Sequence, residues 1–465
     1  MFEKIRGFFM NVLSLFHTTR IEELTGIDTS ISSEMYRHIE LWGDVAAGRA
    51  PWNETAPSCG LPSQIAGRLN YYVKREITLD VKNDVLAAPL KHLNKNIGRV
   101  VEYIALQGGG LLRPIYTNNK LQYELLPLGN YLPTKYDFDG TLTGALVLKH
   151  ILSDKREFLL CEAHNFDGTN HTVTLRLFEN KAGKLRETSL NACQQTAELT
   201  PVYVWENCGR PMIVEFRSGI TNKIDGSSVP VALIDAALDL IQKADEQFAR
   251  MDWEQEAGEK RVFADRDMFA KRVTRDGNEQ KVEMSKSLNK LLVKIDGDGM
   301  SESKIHEYSP ELRTEAQEKY LQAIFKRVEL TVNLGKGTIS DAEQIQQTAT
   351  QYAGGRQELF AIVDEIEDEI AAKYADAAHV FAYMAAAYKI PGAPRAGDDD
   401  LYVIAWNDDQ TRKDIIQSKQ IAMQEISAGV LNKWEYREKF YNEDEKTAKE
   451  LVPPEPAMAA PFGLA

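Results

Sequence analysis

"SPELRTEAQEKYLQAIFKRVELTVNLGKGTIS", residues 309–340, decides how the rest of the chain is read. Ser309 and Pro310 form a helix opening: a hydroxyl cap, then a proline whose missing N–H costs nothing in a first turn. Leu312, Ala316, Tyr320, Ile324, Val328 and Val332 follow at helical spacing on one side. The helix runs into a loop holding Gly335 and Gly337, which accept positive φ cheaply. Ser340 with Glu343 then has the capping-box spacing, so a further long helix is expected to begin there. Ile345, Ala349, Tyr352, Leu359, Val363, Ile366 and Ile370 keep its period. Gly354 and Gly355 interrupt it, each costing about 1 kcal/mol relative to alanine, and suit a kink. Its second half carries the acidic run "DEIEDEI", residues 364–370, which alone reads as a solvated helix face.

Upstream, "SSVPVALIDAALDLIQKADEQFARMDWE", residues 227–254, has serine caps, a proline near the first turn, and Val231, Ile234, Leu238, Ile241, Phe248 and Met251 at helical spacing. Between these two helices, residues 259–308 lose the period: "KRVFADRDMF", a turn in "TRDGNEQ", then "LLVKIDGDG". Two long helices therefore flank a compact insertion of about fifty residues. From Glu259 to Lys294 ten Lys and Arg stand against six Asp and Glu, a local excess of +4 in a chain of net charge −14. That balance suits an interaction knob facing a partner protein or phosphate.

The first half mixes helices and strands. Helices are expected over 31–50, with Ile31, Met35, Ile39 and Trp42 on one side, over 62–75, and over 84–106 up to the breaker "QGGG". "EITLDV" alternates like a strand, and 111–220 holds short alternating segments separated by "DFDG", "DGTN" and "KAGK", a region of antiparallel strands. Towards the end, "AYKIPGAPRAGDDD" reads as a linker and "LYVIAW" as a strand. Residues 411–450 read as a helical pair broken at "SAGVLNK", and "PPEPAMAAPFGLA" as a disordered tail. In that break Gly429 suits a helix C-cap, and Asn432 with Glu435 an N-cap and its return contact. The fold class is α+β.

Composition narrows the function. At 465 residues, 43% hydrophobic and 27% charged, the chain can bury a large core. A pI near 5.2 excludes a protein that grips nucleic acid over its whole surface. Cys59, Cys161, Cys193 and Cys208 form no CxxC, which suits a reducing cytoplasm and structural thiols. No apolar run reaches the length of a membrane span. "MFEKIRGFFMNVLSLF" lacks a small-residue cleavage site downstream and reads as an amphipathic helix that docks on a partner. No phosphate-cradling loop is present: "VNLGKGT" lacks its first glycine and "LQGGGLL" its lysine, so a tight turn is expected at the latter. No G-x-S-x-G elbow appears, and His164 with His171 lacks the spacing of a helical zinc pair. No metal or cofactor is expected.

The order of parts resembles the portal proteins of tailed bacteriophages, in the type common among long-tailed phages of Gram-positive bacteria. "IELWGDVAAGRAPWN", "VVEYIALQGGGLLRPIY" and "LLPLGNYLPTKYDFDGTLTGALVLKHI" are similar to the family's opening helix, its helix with glycine cluster and strand, and the segment that follows. "ARMDWEQEAGEKRVFADRDMF" resembles the point where a stem helix enters the clip. "QQTATQ" resembles a Thr-Ala-Thr motif, with Gln351 where an acidic residue is frequent. "EISAGVLNKWEYREKFYNEDEKTAKEL" is similar to the carboxyl-terminal helical pair, with Asn432 where the family often has serine.

The resemblance implies a homo-oligomeric ring, usually of twelve subunits, at one capsid vertex of the virion, assembled in the host cytoplasm. Double-stranded DNA would enter through it in packaging and leave in ejection. Residues 1–226 and 346–410 would be wing, 227–258 and 309–334 the two stem helices, 259–308 the clip, 335–345 the tunnel loop, 411–450 the crown, and 451–465 the tail. Expected partners are the terminase large subunit, a head-tail adaptor, and the major capsid and scaffold proteins; no membrane and no catalytic role are implied. Gly335, Lys336, Gly337, Thr338 and Ser340 would face the channel, with Lys336 touching phosphate. Lys260, Arg261, Arg266, Lys271, Arg272 and Arg275 would meet partners or DNA at the clip, and Gly354 and Gly355 would kink the long helix. An acidic conduit lets DNA slide where a basic one would hold it. Two alternatives stay open: an enzyme using acid pairs such as Asp408 with Asp409 or Asp364 with Asp368, and a helical scaffold or adaptor with no channel.

Overall fold

The computed structural model describes residues 18–181, 184–258, 261–265, 272–273, 279–280, 292–295, 305–308, 311–340, 357–394, 402–406, 415–441 and 445–452. The expected N-terminal amphipathic segment, Ser309, Pro310, Glu343, Gly354, Gly355 and the tail from residue 453 lie outside them. Helices and antiparallel sheets combine as an α+β fold.

After a short helix α1 (Thr18–Thr25), helix α2 (Ser33–Ala46) starts where Ser32 accepts the Met35 N–H at 3.0 Å, and buries Met35, Ile39 and Trp42. Helix α3 (Leu61–Glu76) leads into strand β1 (Ile77–Val81). Helix α4 (Asp84–Gln107) is the spine of this half: Leu86, Leu90, Leu93, Ile97, Val101 and Ile104 repeat at three and four residues and are buried. It ends at Gly108, in the left-handed region (φ 84°). "QGGG" is thus a cap running directly into a strand, and all three glycines are closely approached. A Cβ on Gly108 would lie 2.7 Å from the Pro230 carbonyl, one on Gly109 2.6 Å from that of Phe216, and one on Gly110 2.8 Å from the Tyr103 ring.

The antiparallel region forms as expected. Strands β2 (Gly109–Thr117) and β3 (Lys120–Pro127) pair, with Asn118 and Asn119 both at positive φ in the two-residue turn, the geometry that matches strand twist. Strands β4 (Tyr131–Tyr136), β5 (Leu142–Ser153), β6 (Arg156–Phe166), β7 (His171–Lys181) and β8 (Lys184–Thr188) follow in sheet order. Strand β9 (Val202–Trp205) completes that sheet on β7, and β10 (Val214–Arg217) pairs with β2.

The helix expected from residue 227 begins only at Leu238. Helix α5 is Leu238–Ala257, preceded by a 3-10 turn at Asp235–Ala237. Residues 229–234 are instead held outside any helix by distant partners: Ser218 Oγ donates to the Val231 carbonyl and the Ile234 N–H to that of Ala105. Helix α6 also starts late, at Thr314, and runs to Thr331. Residues 311–313 are not helical, because the Arg313 N–H donates to Glu254 Oε1 of α5 at 3.0 Å.

Between α5 and α6, strands β11 (Arg261–Asp265), β14 (Leu292–Ile295) and β15 (Ile305–Tyr308) form a sheet, β11 lying parallel to β14 and antiparallel to β15. Strands β12 (Arg272–Val273) and β13 (Glu279–Gln280) pair across "TRDGNE". Helix α7 (Gln357–Ala387) then crosses the core and buries Leu359, Val363, Ile366, Ile370, Tyr374 and Phe381. Strand β16 (Tyr402–Trp406) pairs with β1, Ile77 opposite Trp406, joining the late segment to the first half. The expected terminal helical pair is three helices: α8 (Ile415–Ser427), α9 (Lys433–Tyr441) and the short α10 (Glu445–Glu450). Gly429 (φ 73°) closes α8 with the Val430 N–H on the Glu425 carbonyl, and the Asn432 N–H donates to Glu435 Oε2 at 2.7 Å.

Candidate functional site

The loop after α6 is built around one carboxylate. Asn333, in the left-handed region (φ 53°), ends the helix and returns the Leu334 N–H to the Glu329 carbonyl at 2.9 Å. Gly335 (φ 69°) and Gly337 (φ 78°) then turn the chain back. The Glu329 side chain, wholly buried, accepts the N–H groups of Gly337 (3.0 Å), Ile339 and Ser340 (2.7 Å) and the Ser340 hydroxyl (2.8 Å). Thr338, also buried, donates its hydroxyl to the Leu334 carbonyl at 2.7 Å.

A carboxylate in a helix's last turn opposes the macrodipole, and a buried one without partners costs several kcal/mol. Hydrogen bonds to a charged acceptor contribute about 1.5–3 kcal/mol each, so four of them offset that cost. Ser340 therefore finds its partner eleven residues back. Sequence reading missed Glu329; the available signal was an acid inside an apolar stripe, between Val328 and Val332. Lys336, between the glycines, is exposed and has no ion-pair partner among the described residues.

Helices α5 and α6 run antiparallel from this loop towards the β11–β15 sheet. Glu254 binds the far end, accepting from the Arg313 backbone and guanidinium and from the Gln317 amide. The apolar side expected for α6 divides. Leu321, Ile324, Val328 and Val332 are buried, while Leu312, Ala316 and Tyr320 are exposed. Ala316, Tyr320, Ala323, Arg327 and Leu330 form a second stripe at alternating four- and three-residue spacing, exposed along its length. On α5, Phe248 and Trp253 are exposed too, Trp253 by 66%.

Two aspartates of residues 235–245 tie this pair to the first half. Asp235 accepts from the Trp42 indole at 2.8 Å, with His38 Nδ1 also at 2.8 Å. Asp245, buried in the α5 stripe, accepts from the Trp52 indole (2.9 Å), Asn53 (3.1 Å) and the Cys59 N–H (2.8 Å). Burial and that same carboxylate push the Cys59 thiol up to about 12. Neither aspartate was marked in the sequence, although a polar residue in a core stripe was the clue.

The acidic run is only partly a solvated face. Asp364 and Asp368 are exposed, but Glu367 is buried, Glu365 packs tightly on Gly219, and Glu369 accepts the Arg217 N–H at 3.0 Å. Asp408 and Asp409 lie outside the described residues. Of the basic clip residues, Arg261 and Arg272 fall in β11 and β12, while Lys260, Arg266, Lys271 and Arg275 lie outside the described residues.

His164 and His171, set apart in sequence as non-ligands, form a buried proton chain. The Met212 N–H meets His171 Nδ1 (3.2 Å), so the His171 proton is on Nε2 and points to His164 Nδ1 (3.0 Å). His164 Nε2–H then donates to Glu162 Oε1 (2.9 Å), whose other oxygen takes Arg113. Arg113 lies on β2, so this chain staples two sheets. Elsewhere, a cleft of about 310 Å³ opens between residues 137–143, 209–217 and α7, with Glu215 in its lining. Tyr131 and Tyr136 donate to Glu215 Oε1 at 2.7 and 3.2 Å. Among the described residues no three of His, Cys, Asp or Glu converge as metal ligands. No protein-family model matches the chain, and no curated protein is similar to it.

Proposed function

We propose that this chain is a portal protein: the repeated subunit of a ring at one capsid vertex of a tailed phage, through which double-stranded DNA is packaged and ejected. The observation that carries the reading is the second, exposed stripe of α6, apolar except for Arg327. A helix with a second, largely apolar exposed stripe needs a second neighbour, and among the described residues its own chain supplies one, α5. A closed ring gives every copy the missing neighbour, because a head-to-tail contact repeated around an axis leaves no exposed end. The exposed Phe248 and Trp253 of α5 are the complementary surface on the next copy.

The rest of the architecture supports the same assignment. An antiparallel helix pair carries a separate small sheet at one end, suited to docking the terminase large subunit and later a head-tail adaptor. At the other end is a loop with an outward lysine, suited to sequence-independent contact with phosphate. The larger mixed body would face the major capsid and scaffold proteins. Among the described residues no helix is long and apolar enough to cross a membrane.

Native mass spectrometry with negative-stain imaging tests the reading. A closed ring with a central hole is expected from the full-length protein, with or without scaffold protein. A stable dimer lacking a hole, unchanged when scaffold is supplied, would overturn it in favour of a non-channel scaffold or adaptor.

A further inference from the structure

We propose that Glu329 is the positioning residue of the 335–340 loop, the group that sets where Lys336 projects. That Lys336 meets a DNA duplex rests on the portal reading; that Glu329 places it does not. The backbone of a Gly-Lys-Gly sequence has many accessible conformations, since both glycines tolerate positive φ. Left to itself it would present its lysine in no fixed direction.

The loop is instead gathered onto one buried carboxylate. The N–H groups of Gly337, Ile339 and Ser340 and the Ser340 hydroxyl all donate to Glu329, a residue of the preceding helix's last turn. Leu334 and Thr338 are buried on either side of the turn and joined by their own hydrogen bond. With residues 334 and 337–340 held, Lys336 is the exposed residue at the turn's apex. The glycines permit the turn, and Glu329 selects one conformation of it. In a ring, the same clasp would set the same lysine position in every copy.

Glu329→Gln tests this with almost no change in shape, because the amide keeps one acceptor oxygen but turns an NH₂ towards the loop's N–H groups. Hydrogen–deuterium exchange followed by mass spectrometry on the full-length protein is the first readout. Residues 333–340 are expected to exchange about tenfold faster or more, with residues 321–328 unchanged. Should Glu329→Gln loosen the whole helix, Glu329→Asp decides, since it keeps the charge with a shorter reach. It is expected to accelerate 333–340 alone. Unchanged exchange in 333–340 overturns the proposal whatever DNA does.

The second readout is binding of a fluorescent mixed-sequence duplex across a salt series, for Glu329→Gln, Lys336→Glu and the double variant. If Glu329 acts through Lys336, the loss from Glu329→Gln disappears in the Lys336→Glu background. A loss that persists there overturns the positioning role. Faster loop exchange, with duplex binding indifferent to Lys336→Glu, supports the clasp and counts against the DNA-contact reading of the loop.

Discussion

Glu162 and Glu215 are both buried carboxyls, and their neighbours drive them in opposite directions. Burial raises Glu162, but the His164 hydrogen bond and the Arg113 guanidinium outweigh it and hold the group at about 2. His171 is depressed to about 3 by burial and by His164. A depressed folded value stabilises above the unfolded one and is lost as pH falls, so this staple weakens between pH 6.5 and about 2. Glu162→Gln is expected to cost about 3 kcal/mol at pH 7, because it leaves Arg113 short of a charge, and the deficit should vanish near pH 2. Chemical denaturation at several pH values checks this; a pH-independent deficit would contradict it. Glu215 has the other sign. Burial raises it to about 7 against the Tyr131 hydrogen bond and Arg217, so its contribution is full below pH 4.5 and lost as pH rises through 7. Wild type should therefore lose on the order of 3 kcal/mol between pH 5 and pH 8 that Glu215→Gln does not lose. Equal slopes for the two proteins would show that the carboxyl is not the titrating group.

At the scale of elements, local signals were legible and long-range ones were not. The cap at Gly429, the return contact of Glu435 on Asn432 and the hairpin strands of 109–181 depend on residues a few positions apart, and the spacing predicts each of them. The start of α5 depends on Ser218 and Ala105, which take the backbone of 229–234 out of the helix, and nothing in "SSVPVALI" reveals them. Glu329 and Asp245 are acids in apolar stripes whose partners lie 8–11 and 186–193 residues away. On α6, one apolar side was expected where two stripes exist, because periodicity counts apolar residues without saying how many neighbours they face. The second stripe yields the prediction at this scale. Tyr320, 53% exposed, can become glutamate with a stability change of about 0.5 kcal/mol or less in the isolated subunit. Ring formation, by contrast, should be lost, since the substitution places a charge at the centre of the proposed contact. Native mass spectra showing Tyr320→Glu assembled like wild type would remove the stripe from the interface.

Across the whole molecule, strand register shows how the small sheet is attached. In the antiparallel pair β11–β15, Arg261 lies directly opposite Tyr308, so the chain enters and leaves this unit at neighbouring positions. Opposed residues in such a pair have Cα atoms about 4.5–5.5 Å apart, a gap that a two-residue turn spans. Among the described residues, β11 to β15 pair only with one another. The helices α5 and α6 are clamped independently of the sheet, by Glu254 with Arg313 and Gln317, and at their base by the core around Ile241, Ile324 and Val328. The unit is thus a graft on the helix pair. Replacing residues 262–307 by an Asn-Gly turn should leave the remaining chain folded, with a melting temperature within about 3 °C of wild type. Under the portal reading that protein still closes into rings, since the α6 stripe is intact, but binds neither motor nor adaptor. Pull-down with each partner and negative-stain imaging separate the possibilities. Rings that still capture the terminase large subunit would move the docking surface elsewhere, and a chain that no longer folds would make the sheet part of the core instead of an appendage.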